Sequence, residues 1–250
     1  MASPVIEKLA AIPYARQQID EADIAAVLEV LRSDFLTQGP AIERFERAFA
    51  EFCGSRHAVA LSSATAALHA GCAGLGVGPG SLVWTSPNSF VASANCARYL
   101  GARVDFVDID PRTYAMSMTE LERKLEQAEG NGRLPQVVIP VDFSGEPCDY
   151  ATLRRLSARY GFAVLADSSH AVGALWRGER VGPQATASVF SFHAVKVITT
   201  GEGGMLDTSD PAVAQHVRRF RTHGVTRERA QMIDEPDGPW SYQQVELGFN

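Results

Sequence analysis

At 250 residues and 46% hydrophobic content, the chain holds enough apolar material for one large α/β domain or two smaller ones. Its 29 acids and 23 bases are spread along the whole length and leave a net charge of −6, without the basic stripe that nucleic-acid binding requires, so no nucleic-acid partner is expected. No apolar run approaches the length of a membrane span, and the start "MASPVIEKLA" lacks the charged-then-apolar layout of a secretory leader, so a cytoplasmic location without a membrane partner is expected.

In chain order, "DEADIAAVLEVLRS" predicts a first amphipathic helix, capped by Asp20, with Ile24, Val27, Leu28 and Leu31 on one face. "PAIERFERAFAEFCG" predicts a second. It opens on Pro40, repeats apolar groups at Ile42, Phe45, Phe49 and Phe52, and stops at Gly54. Residues 1–56 are thus read as an N-terminal arm and two helices. From residue 57 onward, six β-rich runs recur at helix-length intervals: "HAVAL", "SLVWT", "RVDFVDI", "QVVIPVDF", "FAVLAD" and "ASVFSF". That alternation predicts an α/β fold, a mostly parallel sheet with helices on both faces, and residues 57–250 read as one large domain. Around "GALWRGERVG" a loop replaces the helix between the last strands.

Two tempting motifs fail on inspection. "GLGVGPG" at 74–80 is not a dinucleotide fingerprint, because Pro79 stands where the third glycine belongs and the stretch joins a helix to a strand, the reverse of the required order. Cys53, Cys72, Cys96 and Cys148 are widely spaced and read as buried free thiols, and the six histidines show no metal-ligand spacing, so no metal is predicted.

The chemistry lies elsewhere. In "LSSATAALHAG" a strand ends at Ser62 and Ser63 and small residues open a helix, which offers backbone N–H groups and hydroxyls to an anion, although Ser63 would also serve as a plain N-cap. Thr65 and the lack of bulk at Ala64 keep a phosphate in play. Asp167 emerges from "FAVLAD" at the C-terminal edge of the sheet, where open α/β sheets bind ligands, or else merely caps a loop. "SVFSFHAVK" then delivers Ser191 to the same region and Lys196 to the turn that follows, just ahead of three glycines. A phosphate cradle, an acid, a second hydroxyl and a lysine together form the set that pyridoxal 5'-phosphate needs.

The motifs "FLTQGPAIERFE", "SSATAALHA", "SFVASANCARYLGARVDFVDID", "GEPCD", "DSSHAVGA", "SFHAVKVITTGEGG", "RTHG" and "LGFN" resemble those of the DegT/DnrJ/EryC1/StrS sugar aminotransferases, within the aspartate-aminotransferase fold type (fold type I) of pyridoxal-phosphate enzymes. Within that family, "SATAAL", "FVASANC", "DSSHA" and "SFHAVK" are most similar to the aminotransferase acting on a UDP-linked 4-keto sugar in pseudaminic-acid biosynthesis. The resemblance implies that Lys196 bonds covalently to the cofactor and shuttles a proton, and that Asp167 pairs with the pyridinium nitrogen. It implies that His170 lies near the phenolic oxygen where many relatives have glutamine, and that Phe90 stacks on the ring. Ala64, Thr65 and Ser191, with Ser63, hold the phosphate. Asn250 matches an asparagine that in relatives reaches the partner subunit's cofactor across a homodimer interface. Arg221 and His223 match a motif without an assigned role.

Three positions depart from the subfamily forms on the substrate side: "SSATAAL" itself, Asn88 and Ser89 before Phe90, and Asp142 where close relatives often have histidine. Asn250 falls where the family's small C-terminal domain would begin, so that domain is expected to be absent. The implied reaction moves an amino group, with glutamate as donor, to the C4 keto group of a nucleotide-linked deoxysugar. A non-catalytic cofactor-binding domain with a regulatory or assembly role is the alternative, and an NAD-dependent reductase is disfavoured by the failed glycine fingerprint.

Overall fold

The structure is a computed structural model that describes residues 12–250. The start of the N-terminal arm, including "MASPVIEKLA", lies outside the described residues. Helix α1 spans Glu21–Leu31 and opens on a capping box: Asp20 Oδ1 accepts from the Ala22 and Asp23 N–H groups while Asp23 Oδ2 accepts from the Asp20 N–H. Its apolar residues Ile24, Val27, Leu28 and Leu31 all stay exposed. Helix α2, Pro40–Cys53, has proline at its first turn and ends at Gly54 in the left-handed conformation (φ 79°), which glycine adopts without strain.

There follow β1 (His57–Leu61), α3 (Ala64–Gly74), β2 (Leu82–Thr85), α4 (Ala92–Tyr99), β3 (Arg103–Phe106), α5 (Met118–Gly130), β4 (Val137–Ile139), α6 (Tyr150–Tyr160) and β5 (Ala163–Asp167). Next come the short pair β6 (Leu175–Trp176) and β7 (Glu179–Arg180), then β8 (Ala187–Ser191), β9 (Gly204–Thr208), α7 (Pro211–Phe220) and a last short pair, β10 (Val225–Thr226) and β11 (Gln243–Gln244). The main sheet has seven strands in the order β1-β9-β8-β5-β4-β2-β3, and only β9 runs against its neighbours.

Strand alternation sorts the core. Val59, Val189 and Leu206 face one side and pack with Leu68 and Ala70 of α3, Cys96 and Ala97 of α4 and Val213 and Val217 of α7. On the opposite face Val138, Val164 and Ala166 meet Leu121 and Leu125 of α5 and Leu153 and Leu156 of α6. Farther along that face Ala58, Phe190 and Met205 meet Phe49, Ala50 and Cys53 of α2. The Phe49 ring sits edge-on to Phe190 at 5.1 Å and to Phe192 at 5.5 Å, so α2 is part of the packed body.

All six runs read as strands form strands, though most are shorter than the apolar text. The run at 136–143 breaks at Pro140, which has no N–H to give a neighbouring strand. "GALWRGERVG" is a hairpin rather than a loop: Arg177 (φ 52°) and Gly178 (φ 87°) make the two-residue turn between β6 and β7. The strand that sequence periodicity does not announce is β9, because it starts inside the glycine-rich "GEGG" and completes the sheet between β1 and β8.

Candidate active site

The parallel strands β1, β2, β4, β5 and β8 all end at one edge, and the segments that follow them line a cavity of about 350 Å³. Eight of the residues singled out in the sequence line it together: Ser63, Ala64, Thr65, Phe90, Asp167, His170, Ser191 and Lys196.

One wall is the start of α3. Ser63 is the N-cap, its Oγ accepting from the Ala66 N–H at 3.1 Å, so the capping role holds for Ser63 itself. The Ala64 and Thr65 N–H groups find no acceptor among the described residues and face the cavity edge with the positive end of the helix dipole. Strand β9 crosses this turn closely. A Cβ on Gly204 would run into the backbone of Ser63 and Ala64, so only glycine lets the strand pass.

Asp167 forms the floor at the end of β5. Its backbone is tied on one side by the Asp167 N–H donating to Pro140 O (2.9 Å) and on the other by the Asp142 N–H donating to Asp167 O (3.0 Å). Its carboxylate accepts from Ser93 Oγ (2.6 Å), Ser169 Oγ (2.6 Å) and the Ser169 N–H (3.2 Å). Ser93 Oγ lies in turn 2.6 Å from Ser89 Oγ. A buried acid held by this many donors is fixed in direction, and its remaining acceptor capacity suits a cationic N–H.

Lys196 reaches in from the turn after β8, with Nζ 2.6 Å from His170 Nε2. Burial draws the Lys196 ammonium below its ordinary range, opposed by the Asp167 charge. Burial also lowers His170, the Lys196 charge adds to that, and Asp167 opposes it. The lysine is thus shifted toward a neutral amine able to act as nucleophile or base. Phe90, 74% exposed in the segment leading into α4, also lines the cavity. Ser191, buried at the end of β8 and paired with Gly204, lines the cavity beside the α3 start.

Asn250 does not join this group. It lines a neighbouring cavity of about 560 Å³ with Gln38, His69 and Arg221, and only Glu202 and Gly203 are shared between the two. Arg221 pairs with Glu46 and donates to Ala60 O (2.6 Å), and Glu46 Oε1 accepts from the Ala60 N–H (2.9 Å), so this arginine ties α7 to α2 and β1. His223 is exposed, sits at φ 63° and donates its N–H to Phe249 O (3.0 Å).

Reading the sequence missed the serines around Asp167. The available signal was Ser89 and Ser93, one helical turn apart beside Phe90. It also missed the partners of Asp142, which lines the cavity floor, and the close crossing at Gly204. Among the described residues no group of histidine, cysteine and acid side chains could hold a metal ion, and no helix is long and apolar enough to cross a membrane.

Comparison with known proteins gives concordant matches. The chain is 36% identical over 239 residues to the UDP-4-amino-4,6-dideoxy-N-acetyl-beta-L-altrosamine transaminase of Campylobacter jejuni, covering 96% of this chain and 60% of that protein. Helicobacter pylori PseC, an aminotransferase of pseudaminic-acid biosynthesis, superposes with a TM-score of 0.86 at 33% identity over 95% of this chain and 60% of that one. Spr1654 of Streptococcus pneumoniae in its PLP form gives 0.81 at 29% identity over 95% of this chain and 62% of that one, and it has also been solved in a PMP form. The chain therefore spans about 60% of the length of the curated relatives it matches. Its fold is that of the aspartate-aminotransferase-like large domain, and with residues 17–250 matching the family throughout, the chain belongs to the DegT/DnrJ/EryC1/StrS aminotransferase family.

Proposed function

We propose that this chain binds pyridoxal 5'-phosphate and carries the catalytic lysine of an aminotransferase that moves an amino group from an amino acid, glutamate, to the C4 keto group of a nucleotide-linked deoxysugar. The observation that carries the reading is the Lys196–His170 contact beside a clamped Asp167, facing a helix start whose first N–H groups lack protein acceptors. The cavity fits the cofactor on the chemistry of its donors. The Ala64 and Thr65 N–H groups with Ser191 suit a phosphate, Asp167 a pyridinium N–H, and Phe90 a ring face.

When bound, the cofactor supplies an electron sink for the carbon that loses a proton. The chain's own residues do the rest. Lys196, shifted toward the neutral amine, would hold the cofactor through its aldehyde carbon, with loss of water, and would carry a proton to and from the substrate carbon. Asp167 keeps its partner nitrogen protonated, because Ser93 and Ser169 hold the carboxylate in place. His170, next to Lys196 Nζ, orients that amine and offers a donor at the cofactor's phenolic oxygen.

Two relatives support the sugar substrate: one is a UDP-sugar transaminase and the other, DesI, has been solved with its TDP-sugar product. A homodimer in the cytoplasm is part of the proposal. It is supported by Asn250 standing away from its own chain's Lys196 cavity, and by the exposed apolar face of α1.

The test is an absorption spectrum of the protein with pyridoxal phosphate, before and after borohydride reduction, followed by peptide mapping. A reducible band mapping to Lys196 and lost in Lys196→Ala is expected. A folded protein with no band would overturn the cofactor assignment. A band without transfer from glutamate to any nucleotide keto-sugar would favour the non-catalytic reading.

A further inference from the structure

Beneath Asp167 lies a second acid that the reaction outlined above does not use. Asp142 is 1% exposed, and its carboxylate accepts from Ser168 Oγ (2.6 Å), Tyr150 Oη (2.7 Å) and the Cys148 N–H (2.9 Å). Burial pushes its pKa up, against the pull of those donors. Taking a carboxylate this deep costs several kcal/mol in order of magnitude unless it is fully hydrogen-bonded, and a small neutral residue would fill the place without that cost. What the acid gains is hold over one loop.

Residues Asp167 to His170 leave β5 and carry both the floor acid and the histidine that meets Lys196. The segment Asp142–Gly145 touches this loop at three successive points. The Asp142 N–H donates to Asp167 O at 3.0 Å, the Ser168 hydroxyl donates to Asp142 Oδ2 at 2.6 Å, and a Cβ on Gly145 would come to 3.0 Å from His170 O. Tyr150, fully buried at the start of α6 and edge-on to Trp176, donates to the same Oδ2 that the Ser168 hydroxyl reaches and braces that tether from α6.

We propose that Asp142 is a positioning residue, which through Ser168 and the Asp142–Gly145 segment sets the Asp167–His170 loop and with it the distance between His170 and Lys196. The inference depends on the proposed function only for its catalytic consequence. The geometry it describes exists in the protein without a cofactor, and the test is made there.

The apparent titration midpoint of Lys196 is read by competitive labelling of amines across pH with peptide mass spectrometry, using Lys124, paired with Asp105 far from the cavity, as internal reference. Ser168→Ala keeps the Asp142 charge and removes only the tether. The loop loosens, water reaches the lysine, and the midpoint is expected to rise by about one pH unit, a tenfold change in the neutral fraction at a given pH. Thr85→Val removes a buried hydroxyl that donates to Ile139 O at 2.9 Å, away from the loop, and is expected to leave the midpoint in place. Gly145→Ala keeps every hydrogen bond and presses on His170 O from below, at a φ of 87° that alanine resists, and is expected to shift the midpoint as well.

An unchanged midpoint in a folded Ser168→Ala protein would overturn the proposal, as would an equal shift in Thr85→Val, which would mark a general loosening. If Ser168→Ala does not fold, Gly145→Ala decides alone. These readings stand whether or not pyridoxal phosphate binds, so they can fail independently of the function proposed above.

Discussion

Asp207 shows how strongly one buried residue can bend the stability of the whole chain. It sits on β9 with no exposure, its Oδ2 accepting from Ser55 Oγ and its Oδ1 without a partner among the described residues. Burial raises its carboxyl from 3.8 to about 7, and it helps push the neighbouring Cys53 thiol up to about 12, with Arg180 opposing. The folded state thus prefers the protonated acid. Its contribution to stability is complete below the unfolded value and is lost as pH rises through the folded one. Between about pH 4 and 7 this group alone removes on the order of 4 kcal/mol of stability. Asp207→Asn, neutral and of the same shape, is expected to flatten the pH dependence of denaturant unfolding across that window and to stabilise the protein at pH 8. At this scale the sequence is informative about reactive residues and poor about their supports. Lys196, Asp167 and Thr65 stand out by motif, whereas Ser93 and Asp142 matter through Asp167 and Ser168, partners far along the chain.

Helices and strands differ in how much of their order is written locally. Helix α2 is legible because its proline start, its phenylalanine spacing and its glycine stop are all local signals. The same spacing gives a prediction: Phe49→Ala removes a ring packed among Phe45, Phe190 and Phe192 and is expected to cost about 3–5 kcal/mol in chemical denaturation. Strand β9 is not legible, because its side chains answer to β1 and β8 rather than to their own periodicity, and its first residue is chosen for the helix it passes. Gly204→Ala forces β9 and the first turn of α3 apart, since the three nearest atoms it would meet all belong to backbone. Overpacking of this kind costs about 1–3 kcal/mol, and the shift falls on the Ala64 and Thr65 N–H groups. Weaker binding of pyridoxal phosphate with a modest loss of thermal stability is the expected pair of results, measured by titration and melting.

For the molecule as a whole, the alternation of apolar runs and helices was enough to give the fold class, since a parallel sheet needs long crossovers between neighbours and every interval but the last has room for a helix. Strand order was not available, because it depends on which faces meet across long stretches of chain. Nor does helical periodicity say what an apolar stripe will meet: Ile24, Val27, Leu28 and Leu31 were readable as one face, and the structure leaves that face uncovered. Burying such a stripe is worth roughly 25 cal/mol per Å². Under the homodimer proposed above, sedimentation should show a dimer at micromolar concentration, and Val27→Asp with Leu31→Asp should shift it toward monomer. A monomer at all concentrations would remove the dimer from the proposal.

The placement of β9 also bears on how the chain comes to be folded. Strand β1 leaves the ribosome early, yet among the described residues its only sheet partner is β9, with His57 opposite Thr208 and Leu61 opposite Gly204. With synthesis at about 5–20 residues per second, β1 and the start of α3 wait several seconds or more without that partner. During that interval β2, β3, β4 and β5, which pair among themselves, can already form a parallel block. Closing β1 onto β9 then spans nearly the whole chain and is a slow, late event. The wall proposed to meet the phosphate is therefore completed last, and a nascent chain halted before residue 204 would hold Asp167 and Lys196 without β9 behind the α3 start.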